Sequence, residues 1–288
     1  MKKKNRPFYI TDDTLSHFIS EAFREDVGDG DHSSLACIPA NANNRAQLLV
    51  KEEGILAGVE AAAEIFKFMN PNLEFAAHMQ DGDTMKVGDI AFTVHGSSRS
   101  ILTSERLVLN VMQRMSGIAT LAHQMVQEVA HTKTKILDTR KTTPNFRMME
   151  KWAVVIGGAH NHRFGLYDMV MLKDNHLDYA GGIEKAVTQT RKYLKENNLN
   201  LKIEVEARNL EEVKQAMNEK VDRIMLDNFT LEDTLKAVEM IGSDIETEAS
   251  GGITLSTLKQ VAETGVNYVS SGAIIHSAKN IDLSLKAF

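Results

Sequence analysis

Between residues 138 and 176 the chain gathers Arg140, Lys141, His160, His162, Arg163 and Lys173, with His160, Asn161, His162 and Arg163 in consecutive positions of "GGAHNHRFGL". Guanidinium, ammonium and imidazole groups at this density could hold an anion of several charges and strip part of its water, although the ordinary role of any one of them alone is a solvated ion pair. Glu206 in "KIEVEA" and Asp227 in "RIMLD" are hard oxygen donors suited to Mg2+ or to sugar hydroxyls; on spacing alone a solvated strand end is an equal alternative. "EASGG" (248–252) and "SSGA" (270–273) put Ser250, Gly251, Gly252, Ser271 and Gly272 where backbone N–H groups could face a phosphate. Tight turns need glycine for conformational reasons as well. The His160-x-His162 pair is also a metal-ligand spacing. No cluster of carboxylates or cysteines lies near it in the sequence, and Arg163 is adjacent, so hydrogen bonding to a substrate, or a structural role, is favoured over zinc or iron.

These groups need a frame. The chain has 288 residues, enough for a sizeable core and more than one core usually serves, so two domains are expected. Lys plus Arg total 33 against 39 Asp plus Glu, a net charge of -6, which argues against a broad nucleic-acid footprint and makes any anion site a local one. One cysteine, Cys37, excludes an internal disulfide, reads as a small buried residue, and fits a reducing cytoplasm. The start "MKKKNRPFYITDDTL" has no apolar run behind its charges, and no later stretch reads as a membrane span, so a cytoplasmic protein is expected.

The first half mixes elements. Thr11 and Asp12 cap a helical spacing of Leu15, Phe18, Ile19, Ala22 and Phe23 that ends at "GDGD". Extended stretches are predicted at 46–58, 73–79 and 89–96, with a helix over 59–69 and a long amphipathic helix from Ser104 toward Ala130, whose methionines read as core. Beyond it, apolar runs at 135–139, 167–173, 202–207, 223–227, 245–250 and 267–272 alternate with helical patterns, the last four evenly spaced.

This rhythm predicts an α/β protein: an N-terminal α+β sandwich domain over 1–115, then an incomplete parallel β/α barrel of about six units over 116–275, each strand followed by a helix. Residues 276–288 would be a tail packing back on the first domain. A doubly wound sheet is the alternative, weakened because no Gly-rich dinucleotide fingerprint follows any strand. In a parallel barrel the strands' carboxyl ends share one mouth, which brings together Asp138 to Lys141, Lys173 to His176, Glu204 and Glu206, Asp227 and Asn228, and the two Ser-Gly turns. The "GGAHNHRFGL" segment enters the second strand from its amino end but is long enough to fold back toward that mouth. Four cations there would repel one another unless a polyanion sat among them.

The segment "DTRKTTPNFRMMEKWAVVIGGAHNHRFGLYDMVMLKDNH" (138–176) closely resembles the signature region of the quinolinate phosphoribosyltransferase family, and "SERLVLNVMQRMSGIAT", "EVEARNLEEV", "MLDNF", "EASGGI" and "GVNYVSSGAIIHS" are similar to that family's blocks in its order. The resemblance extends from about residue 25 to the carboxyl end. It implies that quinolinate and phosphoribosyl pyrophosphate become nicotinate mononucleotide, pyrophosphate and carbon dioxide, with Mg2+ and without an organic cofactor. It also implies a homodimer, or a higher oligomer, with shared active sites, and neither nucleic acid nor membrane as a partner. Arg140, His162, Arg163 and Lys173 would surround quinolinate, with Arg106 arriving from the other subunit, and Lys141 would touch the phosphoribosyl donor. Glu206 and Asp227 would face the ribose and magnesium with Glu248 close by, while Ser250, Gly251, Gly252, Ser271 and Gly272 would take the 5-phosphate. By this reading Lys141, Glu206 and Asp227 are the catalytic residues. Asn145 and Ala159 stand where the family has Gly, which bears on loop geometry and removes no charged group.

Three rivals share parts of this pattern. A paralogue of molybdenum utilisation would transfer phosphoribosyl elsewhere, against which "HNHRFGL" and "KDNH" both stand. A Schiff-base lyase acting through Lys173 or Lys141 needs a lysine in an apolar pocket, and an anion-binding regulator would bind quinolinate without turnover.

Overall fold

The computed structural model describes residues 6–288. In chain order the elements are α1 (Asp12–Val27), α2 (His32–Cys37), β1 (Asn43–Val50), β2 (Gly54–Ile55), α3 (Val59–Met69), β3 (Glu74–Ala77), β4 (Thr84–Met85), β5 (Ile90–Ser97) and the long α4 (Ser98–Glu128). Then follow β6 (Lys135–Leu137), α5 (Arg147–Ile156), β7 (Val170–Leu172), α6 (Asp174–Ala180), α7 (Ile183–Glu196), β8 (Ile203–Ala207), α8 (Leu210–Asn218), β9 (Arg223–Asp227), α9 (Leu231–Ile241), β10 (Glu246–Ser250), α10 (Leu255–Ala262), β11 (Tyr268–Ser270), α11 (Ala273–His276) and β12 (Leu283–Ala287). They form two compact units that are not contiguous in sequence: one takes the chain up to His123 together with Thr143–Gly158 and Ala278–Phe288, the other Gln124–Thr142 and Ala159–Ser277.

The first unit is a four-stranded antiparallel sheet in the order β12-β1-β5-β3. Strand alternation sends Ala46, Leu48 and Val50 of β1 and Phe92 and Val94 of β5 inward, where the rings of Phe66, Phe75 and Phe92 make the core contacts. Helix α1 begins where Thr11 and Thr14 form a capping box and buries Leu15, Ile19 and Phe23. Helix α4 starts at Ser98, six residues before the predicted Ser104, because it grows directly out of β5 and its first turn carries small serines rather than an apolar stripe. Its Met112, Met115 and Met125 are buried. Cys37 is exposed rather than buried; it closes the short α2, where its Sγ reaches the Ser33 carbonyl.

The second unit is a six-stranded parallel sheet in the order β6-β11-β10-β9-β8-β7. The first strand pairs with the last and the second with the third, so the open seam falls between β6 and β7. A single cavity of about 900 Å³ is lined from the carboxyl end of every strand, from Thr139 after β6 to Ser270 of β11, so the sheet is curled into an incomplete barrel rather than laid flat as a doubly wound sheet. Along β8 all five residues are buried. Alternation gives Glu204 and Glu206 one face and Ile203, Val205 and Ala207 the other, which puts two carboxylates inside the curl. One expectation fails: the helix after the first strand, α5, belongs to the first unit, where the buried Glu150 accepts from Arg114 Nη2 at 2.8 Å.

Candidate active site

At the seam, "GGAHNHRFGL" does fold back. His160 forms a parallel bridge with Leu137, its N–H donating to the Ile136 carbonyl at 2.9 Å while its own carbonyl accepts from Asp138 N–H at 3.1 Å. Asp138, fully buried, accepts from Asn161 Nδ2 at 2.6 Å and from the His162 N–H at 2.8 Å. The segment therefore carries His162 and Arg163 to the cavity wall, beside Thr139, Arg140 and Lys141 from the end of β6.

Arg140 Nε is buried and has no hydrogen-bond partner among the described residues. Arg163 is half-buried and gives Nη1 to the Met169 carbonyl at 3.2 Å; burial, and then the charge of Arg140, lower its guanidinium from the usual value, only partly offset by Glu204 and Asp168. Two cations that oppose each other, one with an unmatched buried donor, make a wall that wants an anion. Lys173, half-exposed at the start of α6, pairs with Glu206 Oε2 at 2.7 Å. A lysine so placed is not the desolvated amine that a Schiff-base lyase requires.

His162 lines the cavity and also has partners inside the barrel. Its Nε2 faces the barrel interior, 3.1 Å from Glu204 Oε2 and 3.2 Å from Glu248 Oε2. Arg223 Nη1 holds Glu248 at 3.0 Å, and its Nη2 holds Glu246 at 3.1 Å. The partners that its sequence neighbourhood lacked thus come from β8 and β10, far along the chain. With a neutral ring, Arg223, Glu204 and Glu248 would carry one net negative charge in full burial, so one proton completes the balance. Burial alone would lower the imidazole, but its pairing with Glu204 and Glu248 wins and pushes it up to about 9. Glu204 rises to about 7, because burial and then the charge of Glu248 oppose its ionisation more than His162 and Arg223 favour it. Burial opposes ionisation of Glu248 too, yet His162, Ser270 and Arg223 hold it below the usual carboxylate range.

The Arg163 N–H donates to Nδ1 of His162 at 2.7 Å, which only a singly protonated ring accepts. A neutral ring protonated at Nε2 keeps this bond and still faces both carboxylates, so the Arg163 N–H opposes the second proton while the charges of Glu204 and Glu248 favour it, and the balance lies with the carboxylates. The ligand atoms of His162, Glu204 and Glu248 lie within 4.8 Å of one another, close enough to hold a cation. Arg223 and the ring proton already supply that charge, which argues against a metal there. His162 and Glu248 both line the cavity, with Nε2 of the one and Oε2 of the other also facing each other.

The acidic side has Glu206 on β8 and Asp227 at the end of β9, neighbouring strands whose register sets Glu206 beside Met225, two residues before Asp227. Both line the cavity, and Asp227 Oδ2 accepts from Asn228 Nδ2 at 2.8 Å. On the phosphate side, Gly251 has φ +97°, and a Cβ there would lie 2.6 Å from Asn228 Cγ and 3.0 Å from its backbone nitrogen. At Gly272 a Cβ would lie 2.9 Å from Lys141 Cδ. Gly251 is thus closed to a side chain by Asn228 and by its φ, whereas at Gly272 the close atom belongs to the flexible Lys141 side chain and Gly252 has open space beside it. Ser250, Gly252 and Ser271 also line the cavity, but the Ser271 hydroxyl donates to the Ile253 carbonyl at 2.9 Å, tying the two loops together. Asn145 has φ +61°, the left-handed conformation that asparagine tolerates. Arg106 is exposed on α4 in the first unit and does not line this cavity. Sequence reasoning missed Arg223, His276 and the pairing of Glu204 with His162; only Glu204, two residues before Glu206 in a strand buried throughout, carried a signal.

The fold and cavity define an α/β-barrel protein whose strand ends open on one cavity with cationic, acidic and Ser-Gly sides. Residues 31–116 match the quinolinate phosphoribosyl transferase N-terminal domain and residues 118–286 its C-terminal domain. A rice protein named nicotinate-nucleotide pyrophosphorylase [carboxylating], chloroplastic, is 46% identical, with 94% of this chain and 77% of that protein covered. A Bacillus subtilis protein named probable nicotinate-nucleotide pyrophosphorylase [carboxylating] is 40% identical, with 94% and 91% covered. The solved structure of the nicotinate-nucleotide pyrophosphorylase from Francisella tularensis superposes with a TM-score of 0.91 at 37% identity, covering 99% of this chain and 100% of that one. The chain belongs to the quinolinate phosphoribosyltransferase family.

Proposed function

We infer that this chain transfers phosphoribosyl from phosphoribosyl pyrophosphate to quinolinate with decarboxylation, giving nicotinate mononucleotide, pyrophosphate and carbon dioxide, a step of de novo NAD synthesis. The observation that carries this reading is the cationic wall: Arg140, with its buried unmatched Nε, beside Arg163 in a cavity of about 900 Å³ that also holds the acidic and Ser-Gly sides. Arg140, Arg163 and Lys173 hold the two carboxylates of quinolinate, and His162 adds its charge from the floor. Lys141 contacts the phosphoribosyl donor, and the loops of Ser250, Gly251, Gly252, Ser271 and Gly272 receive its 5-phosphate.

As pyrophosphate leaves, the ribose becomes oxocarbenium-like, and the carboxylates of Glu206 and Asp227 face the developing charge. Attack by the ring nitrogen makes a pyridinium, whose positive charge stabilises the electron pair left on the adjacent carbon when its carboxylate departs as carbon dioxide; a proton, ultimately from water, then bonds to that carbon and gives nicotinate mononucleotide. The protein aligns two anions and keeps water from them, so no organic cofactor enters. Glu206 and Asp227, two hard carboxylates opening on the cavity from neighbouring strand ends, suit Mg2+ bound partly through water, which would neutralise the leaving pyrophosphate. The partner subunit's Arg106 completes the site in a homodimer. A cytoplasmic location agrees with Cys37 as a free exposed thiol, and no helix among the described residues is long and apolar enough to cross a membrane.

The test is to mix purified protein with quinolinate, phosphoribosyl pyrophosphate and Mg2+ and measure nicotinate mononucleotide and carbon dioxide. Equal yields of both are expected. Quinolinate binding without carbon dioxide release would instead mark an anion-binding regulator.

A further inference from the structure

The barrel lacks one pairing, between β6 and β7, and on the β6 side of that seam residues 160–162 run alongside the strand end, His160 bridging Leu137. Two backbone hydrogen bonds start the graft, His160 N–H to Ile136 and Asp138 N–H to His160. Past them the backbone ladder stops and the Asp138 carboxylate takes over: one oxygen accepts from the His162 N–H at 2.8 Å and the other from Asn161 Nδ2 at 2.6 Å. The carboxylate is fully buried and is not among the groups that line the cavity. What it grips is the two-residue step into His162 and Arg163, which do line the cavity.

We propose that Asp138 is a positioning residue: it holds residues 160–162 against the end of β6 at the barrel seam, and thereby sets where His162 and Arg163 stand at the dicarboxylate side of the cavity. This rests on the reading of that side as the quinolinate pocket. A carboxylate serves this position best. Both oxygens face donors, and a carboxamide offers one acceptor and one donor, so an asparagine that still accepts from the His162 N–H turns its own N–H toward Asn161 and keeps that contact only if the Asn161 carboxamide flips out of its present orientation. A shift of about 1 Å in a substrate-holding group can cost about 100-fold in rate, so an error set at the seam reaches the reaction.

The test compares Asp138→Asn and the milder Asn161→Ala with the parent enzyme by calorimetric quinolinate affinity, by KM for each substrate, and by hydrogen exchange of the 160–163 amides. Asp138→Asn is expected to weaken quinolinate binding about 10- to 100-fold, to leave KM for phosphoribosyl pyrophosphate within about twofold, and to deprotect the His162 amide while the amides of β8 to β10 stay protected. Asn161→Ala, which removes one donor and leaves the carboxylate, should change the same quantities in the same direction by less. The proposal is overturned if either variant folds and binds quinolinate like the parent, or if both substrates weaken together with protection lost throughout the barrel. Should the parent bind no quinolinate, the reading of the pocket fails instead, and the exchange of the His162 amide still decides whether Asp138 holds the seam.

Discussion

His162 Nε2 stands 3.1 Å from Glu204 Oε2 inside the barrel, with Glu248 Oε2 a further contact at 3.2 Å, and this arrangement ties the stability of the protein to pH. The ring's folded value of about 9 exceeds its ordinary value, so its contribution is fully present below about pH 6.5 and is lost as pH rises through about 9. Glu204, raised to about 7, acts with the same sign over a window that begins near pH 4.5. Urea midpoints are expected to fall between pH 6 and pH 10, and His162→Gln should flatten the upper part of that fall. At roughly 1.4 kcal/mol per pKa unit the ring's share is at most about 3 kcal/mol, reduced because Glu204 competes for the same proton. A midpoint that stays level from pH 7 to 10 in the parent protein would refute the charged ring.

Arg140 and Arg163 crowd the same wall, and each is held by burial rather than by a full set of protein partners. Arg140→Ala and Arg163→Ala should therefore each weaken quinolinate by about 30- to 1000-fold, the loss expected when one partner of a desolvated charge pair is cut away. Arg140→Lys should recover little, since an ammonium cannot present the planar fork of donors. With the repulsion relieved, the free Arg163→Ala protein should melt no lower than the parent. Binding isotherms together with thermal melts separate these effects.

Gly251 is fixed by contact as well as by backbone conformation. Alanine there meets Asn228 at its Cγ and backbone nitrogen while holding φ at +97°, so Gly251→Ala should destabilise by about 1–3 kcal/mol and raise KM for phosphoribosyl pyrophosphate more than KM for quinolinate. Asn228 itself sits at φ +56°. Adding Asn228→Gly removes the side-chain part of the collision and should restore part of the stability, leaving the strain at position 251. Steady-state kinetics of the single and double variants check this.

Much of this site was legible before any coordinates. Strands β8 and β9 coincide with "IEVEA" and "RIMLD", because strands covered on both faces need near-continuous runs of β-forming residues, and residues closing such runs must share a mouth. Three things were not. The seam could not be placed, since even spacing of units says nothing about which pair of strands stays open. Helix α5 falls within the 116–275 span read as barrel, yet its Glu150 and Lys151 are fully buried and the partner of Glu150, Arg114, lies in a distant helix, a pairing no local pattern shows. The His162 cluster stayed hidden for the same reason: its charges come from three strands, and no local pattern pairs an imidazole with glutamates some 40 and 86 positions away.

Arg106 supplies the remaining prediction. It is exposed on α4, outside the cavity lining, while the resemblance gives it to a quinolinate site; the reading proposed above is that it serves a second copy of the chain. In such a dimer each site draws Arg106 from one subunit and Arg140 from the other. Arg106→Ala and Arg140→Ala proteins, each nearly inactive alone, should then recover activity on mixing: of the two sites in a mixed dimer, one carries both defects and the other carries none. Random exchange makes about half the dimers mixed, so recovery should approach about one quarter of parent activity per site. Mass measurement of the dimers, with one variant isotopically labelled, establishes that subunits have exchanged. Mixed dimers that form and remain inactive would place Arg106 outside the reaction and leave the cations of the seam and the β6 end to hold the dicarboxylate unaided.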